Sequence, residues 1–118
     1  MSLIGKYYTV AGYDFTAYED ILVTEEWANN ADNEKYWCDQ LSGNIQLFSD
    51  DCCGNHLVWG YVISDGDEYD YELQIFDVED LKEIKQRIDW ELYKSGLNFH
   101  KLPDDAFKFK IMSFVEYR

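Results

Sequence analysis

Between Asp77 and Gly96 the apolar residues Val78, Leu81, Ile84, Ile88 and Leu92 fall at helical spacing, with polar residues filling the gaps. Such a stripe predicts an amphipathic helix over 78–95. Asp77 followed three residues later by Asp80 supplies a capping signal, Ser95 and Gly96 a stop, Glu83 and Arg87 an i,i+4 pair, and Lys94 a cation at the negative end of the dipole. Earlier in the chain Thr24 is a candidate N-cap, with Glu25 and Glu26 at the positive end of a second helix expected over 25–41. Its apolar face is Trp27, Ala28, Ala31, Trp37, Cys38 and Leu41, and Gly43 ends it. Asn29, Asn30, Asp32 and Asn33 are weak helix formers and mark the middle of that helix as the place for a break.

The remaining apolar runs are short, rich in β-branched and aromatic residues, and bounded by turn formers. They predict strands over 3–10, 21–23, 44–49, 57–63, 69–76 and 106–117; over 21–23 the strand is preferred to a short helix, whose face Ala17, Tyr18, Ile21 and Leu22 would also fit. Asp65-Gly66 lies between two of these runs, and that dipeptide tolerates the positive φ angles of a two-residue hairpin turn. The expected architecture is α+β: a mainly antiparallel sheet of five to six strands packed with the two helices. A length of 118 residues fits one compact domain over 1–118, and 47% hydrophobic with 18% aromatic residues provides the core.

Charge changes the picture. The formal net charge is -14, and it is regional: residues 7–81 hold 18 acidic groups and only Lys35, whereas 82–118 hold eight basic and six acidic groups. A polyanionic surface repels phosphate backbones and anionic lipid, so direct nucleic-acid or membrane binding is disfavoured. No run approaches the ~20 apolar residues of a membrane span and no secretory leader is evident, so a cytoplasmic protein is expected.

Candidate chemistry is sparse. Cys38, Cys52 and Cys53 are an odd count that reads as free thiols, and Asp50 and Asp51 beside Cys52 oppose thiolate formation. Cys52, Cys53 and His56 lack the second ligand pair of a zinc site, and Asp65, Asp67 and Asp70 surround Gly66 in the wrong order for a calcium loop. There is no phosphate loop, nucleophile elbow or His-Glu-x-x-His helix, so neither an enzyme nor a cofactor is expected.

What remains is a binding face. Strand alternation puts Glu68, Asp70 and Glu72 on one side of the run after Asp67, at intervals of roughly 6.8 Å, on the order of the spacing of phosphates along a nucleic-acid strand. A tight turn at Asp65-Gly66 would pair Ile63, Tyr61 and Trp59 with those acids and alternate carboxylates with aromatics. Asp65, Asp67, Glu68, Asp70, Glu72, Trp59 and Tyr61 are therefore the candidate partner-binding residues. In size, charge and Tyr-rich β composition the chain resembles small acidic inhibitors such as nuclease immunity proteins and virus-encoded DNA mimics. That resemblance implies a basic protein partner, such as a nuclease or a DNA-binding protein. The alternatives are a structural or assembly subunit, viral in origin among others, and a small ligand-binding domain without catalysis.

Overall fold

The computed structural model describes residues 5–37, 44–50, 56–66 and 77–117. Among them run four strands, β1 (Gly5–Asp14), β2 (Ile45–Asp50), β3 (His56–Gly66) and β4 (Lys110–Tyr117), in one antiparallel sheet of order β2-β3-β1-β4. The α+β architecture is as expected, with fewer strands than the five to six predicted. Helices α1 (Glu19–Leu22), α2 (Glu25–Asn29) and α3 (Val78–Lys94) are joined by 3-10 turns at Thr16–Tyr18, Ala31–Tyr36, Phe99–Lys101 and Asp104–Phe107. No helix among the described residues is long and apolar enough to cross a membrane.

The helix predicted over 78–95 forms as α3. Asp77 accepts a hydrogen bond from the Asp80 amide at 3.0 Å and donates its own amide to the Asp80 carboxylate at 3.3 Å, a complete capping box. Ile84, Ile88 and Leu92 are buried against the sheet, and Gly96, with φ of 80°, takes the left-handed position just past the helix end. The helix predicted over 25–41 starts as expected, with the Thr24 hydroxyl accepting from the Trp27 amide at 3.1 Å, but breaks at Asn30. There the Asn30 side chain accepts from the Asp32 amide at 3.0 Å, offering the backbone a turn in place of the next helical bond. Its predicted end, 38–43, lies outside the described residues, as does the predicted strand 69–76.

Two predictions are overturned by tertiary contacts. Residues 21–23, expected as a strand, include the end of α1, with Leu22 wholly buried and its carbonyl accepting from the Asn98 amide at 3.1 Å. Asp65 and Gly66 are strand residues of β3, aligned with Tyr8 and Tyr7 of β1, so they form no hairpin turn. A strand has two edges, and both edges of β3 are occupied over the relevant span: Tyr61 lies between Ala11 and Ile45, and Trp59 between Tyr13 and Leu47. Neither Tyr61 nor Trp59 has an edge left for a further strand.

Burial follows from this order. Leu57, Val58 and Trp59 are buried in succession, as in a strand covered on both faces. On one face Ala11, Tyr13, Leu47, Leu57 and Trp59 pack beneath α3. On the other, Tyr8, Val10, Phe48 and Val58 gather with Val62, Met112 and Phe114. Phe48 and Phe114 belong to the two outermost strands, yet their ring centroids are 5.3 Å apart, so the sheet coils about this second face. A bulge helps: Thr9 aligns with Ser64 and Val10 with Val62, which leaves Ile63 as the extra residue and sharpens the local twist.

Candidate functional site

Of the predicted binding residues the structure describes Trp59, Tyr61 and Asp65. Trp59 is a core residue with no exposed surface; its indole N–H donates to the Ile88 carbonyl of α3 at 3.1 Å, which removes it from any docking face. Tyr61 is half-buried under the Arg87 guanidinium, 5.3 Å from the ring centroid, and this contact replaces the Glu83–Arg87 pair expected from spacing. Asp65 is exposed and accepts a charge-assisted bond from Lys6 Nζ at 3.1 Å, which raises the Lys6 pKa above its ordinary value. Asp67, Glu68, Asp70 and Glu72 lie outside the described residues.

A further group of solvent-facing carboxylates belongs to a different segment. Asp14, the last residue of β1, is exposed, as are Asp20, Glu25, Glu26, Asp32 and Glu34, with Glu19 half-buried, on the following stretch that carries α1, α2 and the next 3-10 turn. None of them forms an ion pair with a described residue. The lysine–carboxylate pairs lie elsewhere: Lys6–Asp65, Lys82–Glu79, Lys85–Asp89, Lys94–Glu91 and Lys108–Asp105. Four lysines of the C-terminal third thus pair with acids near them in sequence, and the acids of 14–36 have no such pair with a described residue. The stretch is held in place by apolar anchors: Leu22 and Trp27 are buried, and the Trp27 indole N–H donates to the Ser95 carbonyl at 2.8 Å. The uneven charge was legible in the sequence. Its placement on helical turns rather than on a strand was not, because the anchoring bonds to Ser95 and Asn98 are long-range.

A second feature is a cleft of about 450 Å³ where β1, α3 and the last two 3-10 turns meet. Its walls are Leu92, Phe99, Leu102 and Phe107, with Tyr13, Lys85, Asp89, His100 and Asp104 as the polar groups. The Tyr13 hydroxyl donates to Asp89 Oδ1, and Lys85 Nζ donates to Asp89 Oδ2 at 2.9 Å. Burial, reinforced by the Asp89 carboxylate, pushes the Tyr13 pKa up to about 12, and the same carboxylate raises that of Lys85. Tyr13 therefore stays a neutral donor at physiological pH.

Among the described residues no group of three or more His, Cys, Asp or Glu could hold a metal ion. Cys38, Cys52 and Cys53 lie outside the described residues, and the His56 imidazole is engaged with Glu116. No family model, curated protein or solved structure matches this chain.

Proposed function

We propose that this protein is a small acidic binding module that occupies a basic, nucleic-acid-binding surface of a protein partner and blocks it by competition, as a cytoplasmic inhibitor rather than an enzyme. The observation that carries the reading is the run of seven carboxylates on 14–36 that form no ion pair with a described residue, beside a C-terminal third in which Lys82, Lys85, Lys94 and Lys108 are paired with nearby acids. Clustered like charge raises the free energy of the folded state, and a cationic partner relieves it. Partners that read phosphates with Lys and Arg arrays bind largely through electrostatics, so fixed carboxylates can stand in for the polyanion.

The test has two stages: capture on the immobilised protein with elution along a salt gradient, then a DNA-binding assay on the eluted protein with and without this chain. The expected result is a basic protein released steeply by salt whose DNA affinity falls when this chain is added, and less so when Glu25, Glu26, Asp32 and Glu34 are changed to their amides. Retention insensitive to salt, or unchanged DNA binding, overturns the proposal.

The cleft beside Tyr13 favours a second reading, a small ligand-binding domain, because apolar walls with a few convergent polar groups make a ligand site. A native-mass measurement showing a small molecule that co-purifies, and is lost on Phe107→Ala, would favour it.

A further inference from the structure

Trp90 and Tyr93 are 57% and 68% exposed, whereas the other aromatic side chains whose burial is described are buried or half-buried. They stand three residues apart on the side of α3 turned away from Ile84, Ile88 and Leu92, with rings 14° from parallel and centroids 5.8 Å apart. Together they form a flat aromatic platform. One cation already rests on it: Lys94 Nζ is 5.4 Å from the Trp90 centroid while pairing with Glu91 at 3.0 Å.

The surroundings are negative. The C-terminal end of α3 carries the negative end of the helix dipole. Both acidic short helices are tied to that end, α2 through Trp27 and Ser95 and α1 through Leu22 and Asn98, and Asp20, Glu25 and Glu26 on them are exposed. An exposed aromatic face next to Glu91, at the end of α3 to which the acidic helices are tied, is complementary to a planar cation. Guanidinium suits it better than ammonium, since it stacks on a ring while its edge donates two parallel bonds to a carboxylate.

We propose that the Trp90–Tyr93 platform is the anchor on which an arginine of the basic partner stacks. This deepens the reading given above and rests on it. Labelled oligo-arginine and oligo-lysine peptides of equal length serve as probes, followed by anisotropy at low salt. The chain is expected to prefer the arginine peptide by roughly three- to tenfold. Trp90→Ala/Tyr93→Ala is expected to abolish that preference while leaving oligo-lysine affinity unchanged, because both residues stand in solvent and their loss leaves the core intact. Neutralising Glu25 and Glu26 is expected to weaken both peptides alike. If the preference survives loss of both rings, or is absent from the unaltered protein, the anchor is wrong; the acidic reading still stands when the neutralised variant binds both peptides more weakly. If neither peptide binds, both fall together. A thermal midpoint within a few degrees of the parent confirms that each variant is folded.

Discussion

The imidazole Nε2 of His56, the first residue of β3, lies 3.3 Å from Oε1 of Glu116 near the end of β4, although β1 runs between their strands. A flat sheet would hold these two groups far apart, for Glu116 aligns with Lys6 at one end of β1 while His56 sits two residues beyond the Asp14–Val58 alignment at the other. Their contact measures how tightly the sheet coils. The Glu116 side chain is 3% exposed and that of His56 17%, with the Phe114 ring 4.6 Å from the imidazole.

Because the pair joins opposite ends of the coil, its two members should be energetically coupled. In a double-mutant cycle of His56→Ala and Glu116→Gln, followed by urea unfolding, a coupling of about 1 kcal/mol or more is expected, within the range for buried neighbours. Additive effects would mean that the coil is held by the Phe48, Phe114 and Tyr8 cluster alone.

Tyr13 predicts a pH dependence with a definite sign. Its pKa in the fold is about 12 and its ordinary value is 10, so the folded state favours the neutral phenol. The contribution is complete below pH 10 and is lost as pH rises toward 12, on the order of 2 kcal/mol over that window. Unfolding free energy should fall between these limits more steeply for the parent than for Tyr13→Phe, which has no phenol to titrate. Parallel curves for the two proteins would show that Tyr13 is not held neutral by its surroundings.

Gly12 and Gly60 face each other across β1 and β3, and a Cβ on Gly12 would collide with the Trp59 carbonyl. A Cβ on Gly60 would lie 2.9 Å from the Ala11 carbonyl oxygen. The opposing atoms are backbone, which cannot swing away. Gly12→Ala is therefore expected to cost about 2 kcal/mol or more by overpacking and to lower the thermal midpoint by several degrees. Gly5→Ala, at the start of the same strand, serves as the comparison.

Two tryptophans read alike in the sequence and differ completely in the fold. Trp59→Ala should cost about 3–5 kcal/mol, because the side chain is fully buried and its N–H is bonded to Ile88. Trp90→Ala should change stability by about 0.5 kcal/mol or less, as expected for an exposed residue. Chemical denaturation of the two variants side by side checks both expectations.

That contrast shows what was legible in the residues and what was not. The features of α3 were legible because they are local: the Asp77–Asp80 box, the apolar period and the Gly96 stop all act within a few residues of one another. The break at Asn30 was foreshadowed by the weak formers Asn29, Asn30, Asp32 and Asn33. Strand pairing was misjudged because Asp65-Gly66 has the composition of a turn, while the bonds that keep it extended come from Tyr7 and Tyr8, more than fifty positions away. Trp59, expected on an exposed alternating face because of that turn, is instead buried in the core. Regional acidity is a property of composition and needed no pairing to be seen. The location of exposed aromatics on α3 required knowing which flank of the helix the sheet covers.

The exposed acids make a prediction about the free protein itself. Repulsion among the exposed carboxylates of 14–36 is screened by salt, with a Debye length of about 10 Å at 0.1 M, whereas short pairs such as Lys85–Asp89 are screened less. Raising sodium chloride from about 0.02 to 0.3 M should therefore raise the thermal midpoint. Neutralising an unpaired acid, as in Glu34→Gln, should cost no more than about 0.5 kcal/mol, whereas Asp89→Asn, which weakens the bonds to both Tyr13 and Lys85, should cost more. A midpoint that falls with salt would mean that internal pairing outweighs the repulsion. The acidic stretch would then already be balanced within the chain, and the case for a cationic partner would lose its energetic basis.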